Sequence, residues 1–118
     1  MKVLIVEDET MVAMLVEDML IGLGHDPVGP VASIAEAMAL IDEKPFDIAL
    51  LDVNLGGKEK AFPIAERLEG MGIPYALVSG YDPRGIEACA DALKLQKPFN
   101  QASLAATVAE LISRVKPT

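Results

Sequence analysis

The sequence predicts an α/β fold, a doubly wound open sheet of five parallel strands with helices on both faces. Three observations predict it. Short apolar runs alternate with longer segments of helical periodicity, and the pair recurs about five times along the chain. The strongest runs, Lys2–Val6 and Asp47–Leu51, are apolar without interruption in their interiors, the pattern of strands covered on both faces. Connections of helix length between successive strands imply parallel pairing through right-handed crossovers. The 118 residues are expected to form one domain over 1–118, with no internal repeat, linker or appended unit.

Each element has a local reason. After the strand at Lys2–Val6, Thr10 is placed to cap a helix running to about Leu23, with Gly24 as its stop. The inward stripe of that helix reads Val12, Leu15, Val16, Met19, Leu20 and Leu23. Asp26–Val31 carries Pro27 and Pro30, which confines it to a sheet edge. Ser33 caps a second helix with Ile34, Ala37, Met38 and Ile41 inward. Asp47–Leu51 is the next strand. A loop with Gly56 and Gly57 follows Asp52, then a helix near Ala61–Glu69, with Pro63 in its first turn where a missing N–H costs little. Tyr75–Ser79 forms the fourth strand, followed by a loop over Gly80–Gly85 and a short segment around Ile86–Ala92. Leu93–Gln96 makes the last strand. Asn100 or Ser103 opens a final helix to about Val115, with Leu104, Val108, Leu111 and Ile112 inward.

Composition narrows the classes. A chain 52% hydrophobic and 24% charged is neither disordered nor of low complexity, and at this length it needs no disulfide or structural metal to hold a core. One cysteine, Cys89, and one histidine, His25, exclude a disulfide framework and zinc sites built on several thiolates or imidazoles. Cys89 reads as packing and His25 as a surface residue. The apolar opening meets Glu7-Asp8-Glu9 too soon for a signal core, and no stretch approaches a membrane span, so a soluble cytoplasmic protein is expected. Residues 1–52 hold 11 acids against Lys2 and Lys44, whereas residues 53–118 hold 7 acids against 8 bases. That excess serves solubility in most proteins, and it argues against a nucleic-acid surface in the acidic half.

In such a sheet, ligands bind beyond the carboxyl ends of the strands, near the point where strand order reverses. Glu7, Asp8 and Glu9 follow the first strand, Asp52 the third, Ser79 closes the fourth, and Lys97 follows the last. A carboxylate at a strand end is commonly a cap or a surface charge, but these groups share one edge. Clustered carboxylates repel, and a hard divalent cation with oxygen ligands, such as Mg²⁺, relieves that repulsion. A carboxylate can also act as nucleophile toward phosphorus, giving an acyl phosphate. Asp52 would then accept a phosphoryl group, with Ser79 and Lys97 meeting its oxygens.

The residues carrying this chemistry resemble a known family. Val3-Leu4-Ile5-Val6-Glu7-Asp8-Glu9, Ala49-Leu50-Leu51-Asp52-Val53-Asn54, Leu77-Val78-Ser79-Gly80 and Lys97-Pro98-Phe99 are similar to the receiver domain of two-component response regulators over essentially the whole chain. The resemblance implies the flavodoxin-like receiver fold and phosphoryl transfer from a histidine kinase, or from a phosphotransferase protein, to Asp52. It implies Mg²⁺ held by Glu7, Asp8, Asp52 and the main-chain carbonyl of Asn54, with Ser79 and Lys97 on the phosphoryl group and a cis Lys97–Pro98 peptide. Such a domain switches a downstream protein and is no turnover enzyme. Leu77-Val78-Ser79-Gly80-Tyr81 further resembles the Phe-Ala-Thr-Gly-Tyr motif of an alphaproteobacterial subgroup, which implies a kinase of the HWE type and a regulator that often stands alone.

One position departs from the family. The aromatic switch expected three residues before the lysine is Lys94, so the signal is expected to pass through the Gly80–Ala92 segment instead. Met11, Met14 and Ile21 form a second apolar stripe on the first helix, interrupted by Asp18, which either is covered by neighbouring loops or serves as a docking face for a kinase helix pair. The competing function is a pseudo-receiver, a binding module of the same fold that no longer uses phosphate. A flavin carrier is disfavoured because Glu7-Asp8-Glu9 would repel a flavin phosphate. An aspartate-nucleophile hydrolase is disfavoured because Asn54 stands where it would want a second acid.

Overall fold

The computed structural model describes residues 1–43, 45–55, 59–80 and 93–115. Five parallel strands form its sheet: β1 (Lys2–Val6), β2 (Asp26–Val31), β3 (Ile48–Asp52), β6 (Tyr75–Ser79) and β7 (Leu93–Gln96), in spatial order β2-β1-β3-β6-β7. A two-residue antiparallel pair, β4 (Asn54–Leu55) with β5 (Glu59–Lys60), lies beside it. Among the described residues the helices are α1 (Thr10–Gly22), α2 (Ile34–Glu43), α3 (Phe62–Met71) and α4 (Gln101–Ser113). Strand order reverses between β1 and β3, so the crevice at their carboxyl ends is where this topology binds ligands. The doubly wound five-stranded sheet expected from the sequence is the one observed.

Alternation along the strands builds two cores. Leu4, Val6, Ala49, Leu51 and Leu77 face α2 and α3, where Ala37, Ile41, Ile64, Ala65 and Leu68 close the layer. Val3, Ile5, Ile48, Leu50, Ala76 and Val78 face α1 and α4 across Val16, Leu20, Leu104, Val108 and Leu111. Every residue of β3 and β6 is buried, which is why neither strand shows a polar face in sequence.

The edge assignment of β2 holds, because its prolines leave it pairing only with β1. Its register shifts between Leu4 and Val6 of β1. Gly29 sits opposite that shift with φ +97°, and a Cβ there would lie 3.0 Å from both the Ile5 carbonyl oxygen and the Val31 nitrogen. Only glycine fits that backbone.

Three expectations need correction. Thr10 is the first helical residue and not the cap; Glu9 holds the N-cap position of α1, with no side-chain cap bond. On α1 Leu15 stands 49% exposed, and Ala13 is buried beside Val16 and Leu20 instead, so the buried strip is narrower than the apolar stripe. The third strand begins at Ile48, because the Asp47 carboxylate turns back to accept from the Lys2 N–H at 2.8 Å, and it includes Asp52 through parallel pairing with Val78. His25 lies at the surface beside the N-terminal amine, as expected, and partial burial, then the charge of that amine, lowers its pKa.

Other caps follow the sequence. Ser33 Oγ accepts from the Glu36 N–H, and Asn100 and Ser103 form a reciprocal capping box on α4. The Lys97–Pro98 peptide is cis, as expected. Expectations for Gly56 and Gly57, Tyr81 and Cys89, and most of the Gly80–Ala92 segment fall outside the described residues. Among the described residues, no helix is long and apolar enough to cross a membrane.

Candidate functional site

Three backbone bonds extend the ladders past the strand ends and aim the site residues. The Glu7 N–H donates to the Val31 carbonyl at 2.9 Å, fixing the chain as it leaves β1. The Val53 N–H donates to the Val78 carbonyl at 3.0 Å, just after Asp52. The Lys97 N–H donates to the Ser79 carbonyl at 2.8 Å, joining the last two site residues across β6 and β7. Residues separated by up to 90 positions in sequence thus meet at one edge of the sheet.

Glu7, Asp8 and Asp52 each place a carboxylate oxygen within 4.8 Å of the others. Glu7 and Asp52 are each only 6% exposed and Ser79 2%, so this is a buried charge cluster with a polar end to β6. Lys97 reaches in from the loop after β7. Its ammonium donates to Glu7 Oε1 at 2.8 Å and to Asp52 Oδ2 at 3.3 Å. Burial, reinforced by Asp52, pushes the Glu7 carboxyl up to about 8 in spite of Lys97. Burial works against charge on Lys97, but the carboxylates of Glu7 and Asp52 outweigh it and raise its pKa. The lysine stays an ammonium at any physiological pH.

The donor set suits a hard cation. Glu7 Oε2 is buried with no hydrogen-bond partner among the described residues. A buried acceptor left unpaired is costly, and a metal ligated through oxygen would satisfy it. Three carboxylates gathered with no thiolate or imidazole among the described residues point to a cation of the Mg²⁺ or Ca²⁺ type.

Asn54 stands beside Asp52. Its backbone N–H donates to Asp52 Oδ1 at 3.2 Å, and its side-chain Oδ1 accepts from the Lys60 ammonium. Lys60 and the β4–β5 pair were not anticipated, since strands of two residues are too short to leave a periodic signal. Against the other side of the site lies an apolar groove of about 370 Å³ lined by Val12, Leu15, Lys97, Pro98 and Phe99. Met11 is 85% and Met14 58% exposed on the same helix, and Ile21 is exposed too, so the second stripe of α1 does face outward.

Lys94 lies in β7, half-buried and paired in register with Leu77, so the position expected for an aromatic switch does carry a lysine.

Known proteins place this geometry. The chain is 28% identical over 115 residues to the phyllosphere-induced regulator PhyR of Methylorubrum extorquens, an alignment covering 94% of this chain and 43% of that protein. It therefore spans less than half the length of that curated relative. The solution structure of SdrG from Sphingomonas melonis Fr1 is 40% identical, with a TM-score of 0.79 over 94% of this chain and 95% of that one. SdrG has also been solved in a BeF3-activated conformation, which matches with a TM-score of 0.82. The receiver (REC) domain of PhyR from Erythrobacter litoralis is 25% identical, with a TM-score of 0.87 over 99% of this chain and 94% of that one. Residues 3–109 match the response regulator receiver domain family as a whole. With its sheet order, its acidic cluster and that match, the chain belongs to the response regulator receiver domains.

Proposed function

We propose that this receiver domain accepts a phosphoryl group on Asp52 from the phosphohistidine of a histidine kinase, or from a phosphotransferase protein, and thereby switches a downstream protein. The single observation that carries this reading is the convergence of Glu7, Asp8, Asp52 and Lys97 on one sheet edge, with Glu7 and Asp52 buried there. An Asp52 carboxylate oxygen forms the new bond to phosphorus as the phosphorus–nitrogen bond of the phosphohistidine breaks. The electron pair stays on the imidazole nitrogen, which a solvent proton keeps neutral. Glu7, Asp8, Asp52 and the main-chain carbonyl of Asn54 would hold Mg²⁺, which supplies neutralising charge for the carboxylates and the phosphoryl oxygens. Lys97, already an ammonium beside Asp52, is placed to follow the charge onto the phosphoryl group. Ser79, buried at the end of β6, offers a hydroxyl there. That a 40% identical relative takes up a BeF3-activated conformation supports a phosphoryl-responsive reading. The product stays on the protein, so the domain acts as a signalling element and not as a turnover enzyme.

The test is the intact mass of the protein after incubation with acetyl phosphate, or with a phosphorylated kinase of the HWE type, with Mg²⁺ or with EDTA. Gain of a single phosphoryl group with Mg²⁺ and none with EDTA is the expected result. No gain, from a kinase shown competent on another receiver, would leave a phosphate-independent binding module.

The groove between Leu15 and Phe99 is lined in part by Lys97, the partner of Asp52, and Met11 and Met14 stand exposed on the same helix, which suits this face to a kinase helix pair, since methionine tolerates imperfect packing. Met14→Glu should slow transfer from the kinase about tenfold or more, the cost of a charge in an apolar contact. Its uptake from acetyl phosphate should match wild type. Equal slowing with both donors would place the defect in the acceptor site and reject the docking role.

A further inference from the structure

We infer that Lys60 is a positioning residue that sets the lifetime of the phosphoryl group on Asp52 by fixing the orientation of the Asn54 amide. The inference rests on the reading of Asp52 as phosphoacceptor. Lys60 engages Asn54 twice. The two residues stand opposite each other in the antiparallel β4–β5 pair, and the Lys60 ammonium donates to Asn54 Oδ1. Asn54 in turn addresses the acceptor, through its N–H on Asp52 Oδ1.

The chemistry follows from what an ammonium is able to do. It only donates, so it holds the amide with oxygen toward Lys60 and the NH₂ group turned away. An NH₂ group so placed bonds phosphoryl oxygens, but it cannot accept a proton from a water. Hydrolysis of the acyl phosphate needs such a water, its oxygen forming a bond to phosphorus as the bond from phosphorus to the Asp52 oxygen breaks. The electron pair returns to the carboxylate, and both water protons leave on dihydrogen phosphate. Lys60 takes one of the two lone pairs of Oδ1 and fixes the direction of the other, so Asn54 offers that water a weaker and less adaptable acceptor. The clamp therefore lengthens the phosphorylated state.

The experiment follows the decay of phosphorylated protein by intact mass, with Mg²⁺ present and the donor removed. Lys60→Met keeps the apolar stem and should shorten the half-life about three- to tenfold, the worth of one oriented hydrogen bond. Lys60→Arg, still a pure donor, should restore it. In an Asn54→Ala background, Lys60→Met should change nothing, because the amide it orients is gone. Lys60 lies on the surface, so these variants are expected to fold. An unchanged half-life in Lys60→Met would overturn the inference, as would an equal change in the Asn54→Ala background. Failure of wild type to take up any phosphoryl group would instead bring down the acceptor reading, and this inference with it. The two failures are told apart by the first mass spectrum.

Discussion

Asp52→Asn should gain no phosphoryl group from acetyl phosphate or from a kinase, and should do so while remaining folded. The first half follows from the nucleophile: an amide oxygen does not form the acyl phosphate that a carboxylate forms. The second half is less obvious, because Asp52 is buried and bonded to Lys97, and breaking such a pair commonly costs about 3–5 kcal/mol. Here a second carboxylate stands ready. Glu7 Oε1 already accepts from the same ammonium at 2.8 Å, and the neighbouring Asp52 carboxylate is part of what raises the Glu7 carboxyl. Removing that charge lowers the Glu7 pKa, although burial, its largest cause, still holds it above the ordinary value.

Glu7 then takes over as the anion paired with Lys97. One buried ion pair replaces another, so stability should stay within about 1 kcal/mol of wild type, less than a single unit of pKa shift. Denaturant unfolding of the metal-free proteins checks the stability. Carboxyl NMR titration checks the shift of Glu7 toward lower pH. A variant that loses uptake but is also several kcal/mol less stable would mean that Glu7 does not inherit the pair.

How much of this was legible in the sequence depends on the range over which each signal acts. The strands were, because burial on both faces leaves Leu50 and Leu77 in uninterrupted apolar runs that no helix of this length would need. The acid cluster was legible as a set of strand ends, since the doubly wound topology sends every such end to one edge. The partnership of Lys97 with Glu7 was not, for the two lie 90 residues apart and only the folded sheet fixes their separation. On α1 the apolar stripe is wider than the strip the sheet covers, so periodicity alone could not choose between Leu15 and Ala13. Lys60 was invisible for a different reason. Its role arises from a two-residue ladder, and propensity and pattern need longer segments than that to register.

Lys97→Met should separate two properties that move together in most damaged sites. Transfer to Asp52 should slow by about 10²–10³-fold, the usual cost of removing one fixed charge that stabilises a developing anion. Mg²⁺ should nevertheless bind more tightly. In the metal-free protein the Lys97 ammonium occupies the carboxylates of Glu7 and Asp52, and a divalent cation entering the cluster must displace it or sit beside it. Taking the ammonium away leaves those oxygens to the metal and removes a like charge from its neighbourhood. A variant that was merely misfolded would lose both metal affinity and transfer. Calorimetric Mg²⁺ titration beside stopped-flow phosphorylation by acetyl phosphate reads the two quantities on one preparation. Weaker Mg²⁺ binding in Lys97→Met would show that the lysine orders the carboxylates for the metal and does not compete with it. An unchanged transfer rate would remove Lys97 from the phosphoryl site altogether, and the charge on those oxygens would fall to the bound cation, with Ser79, the buried hydroxyl at the end of β6, beside it.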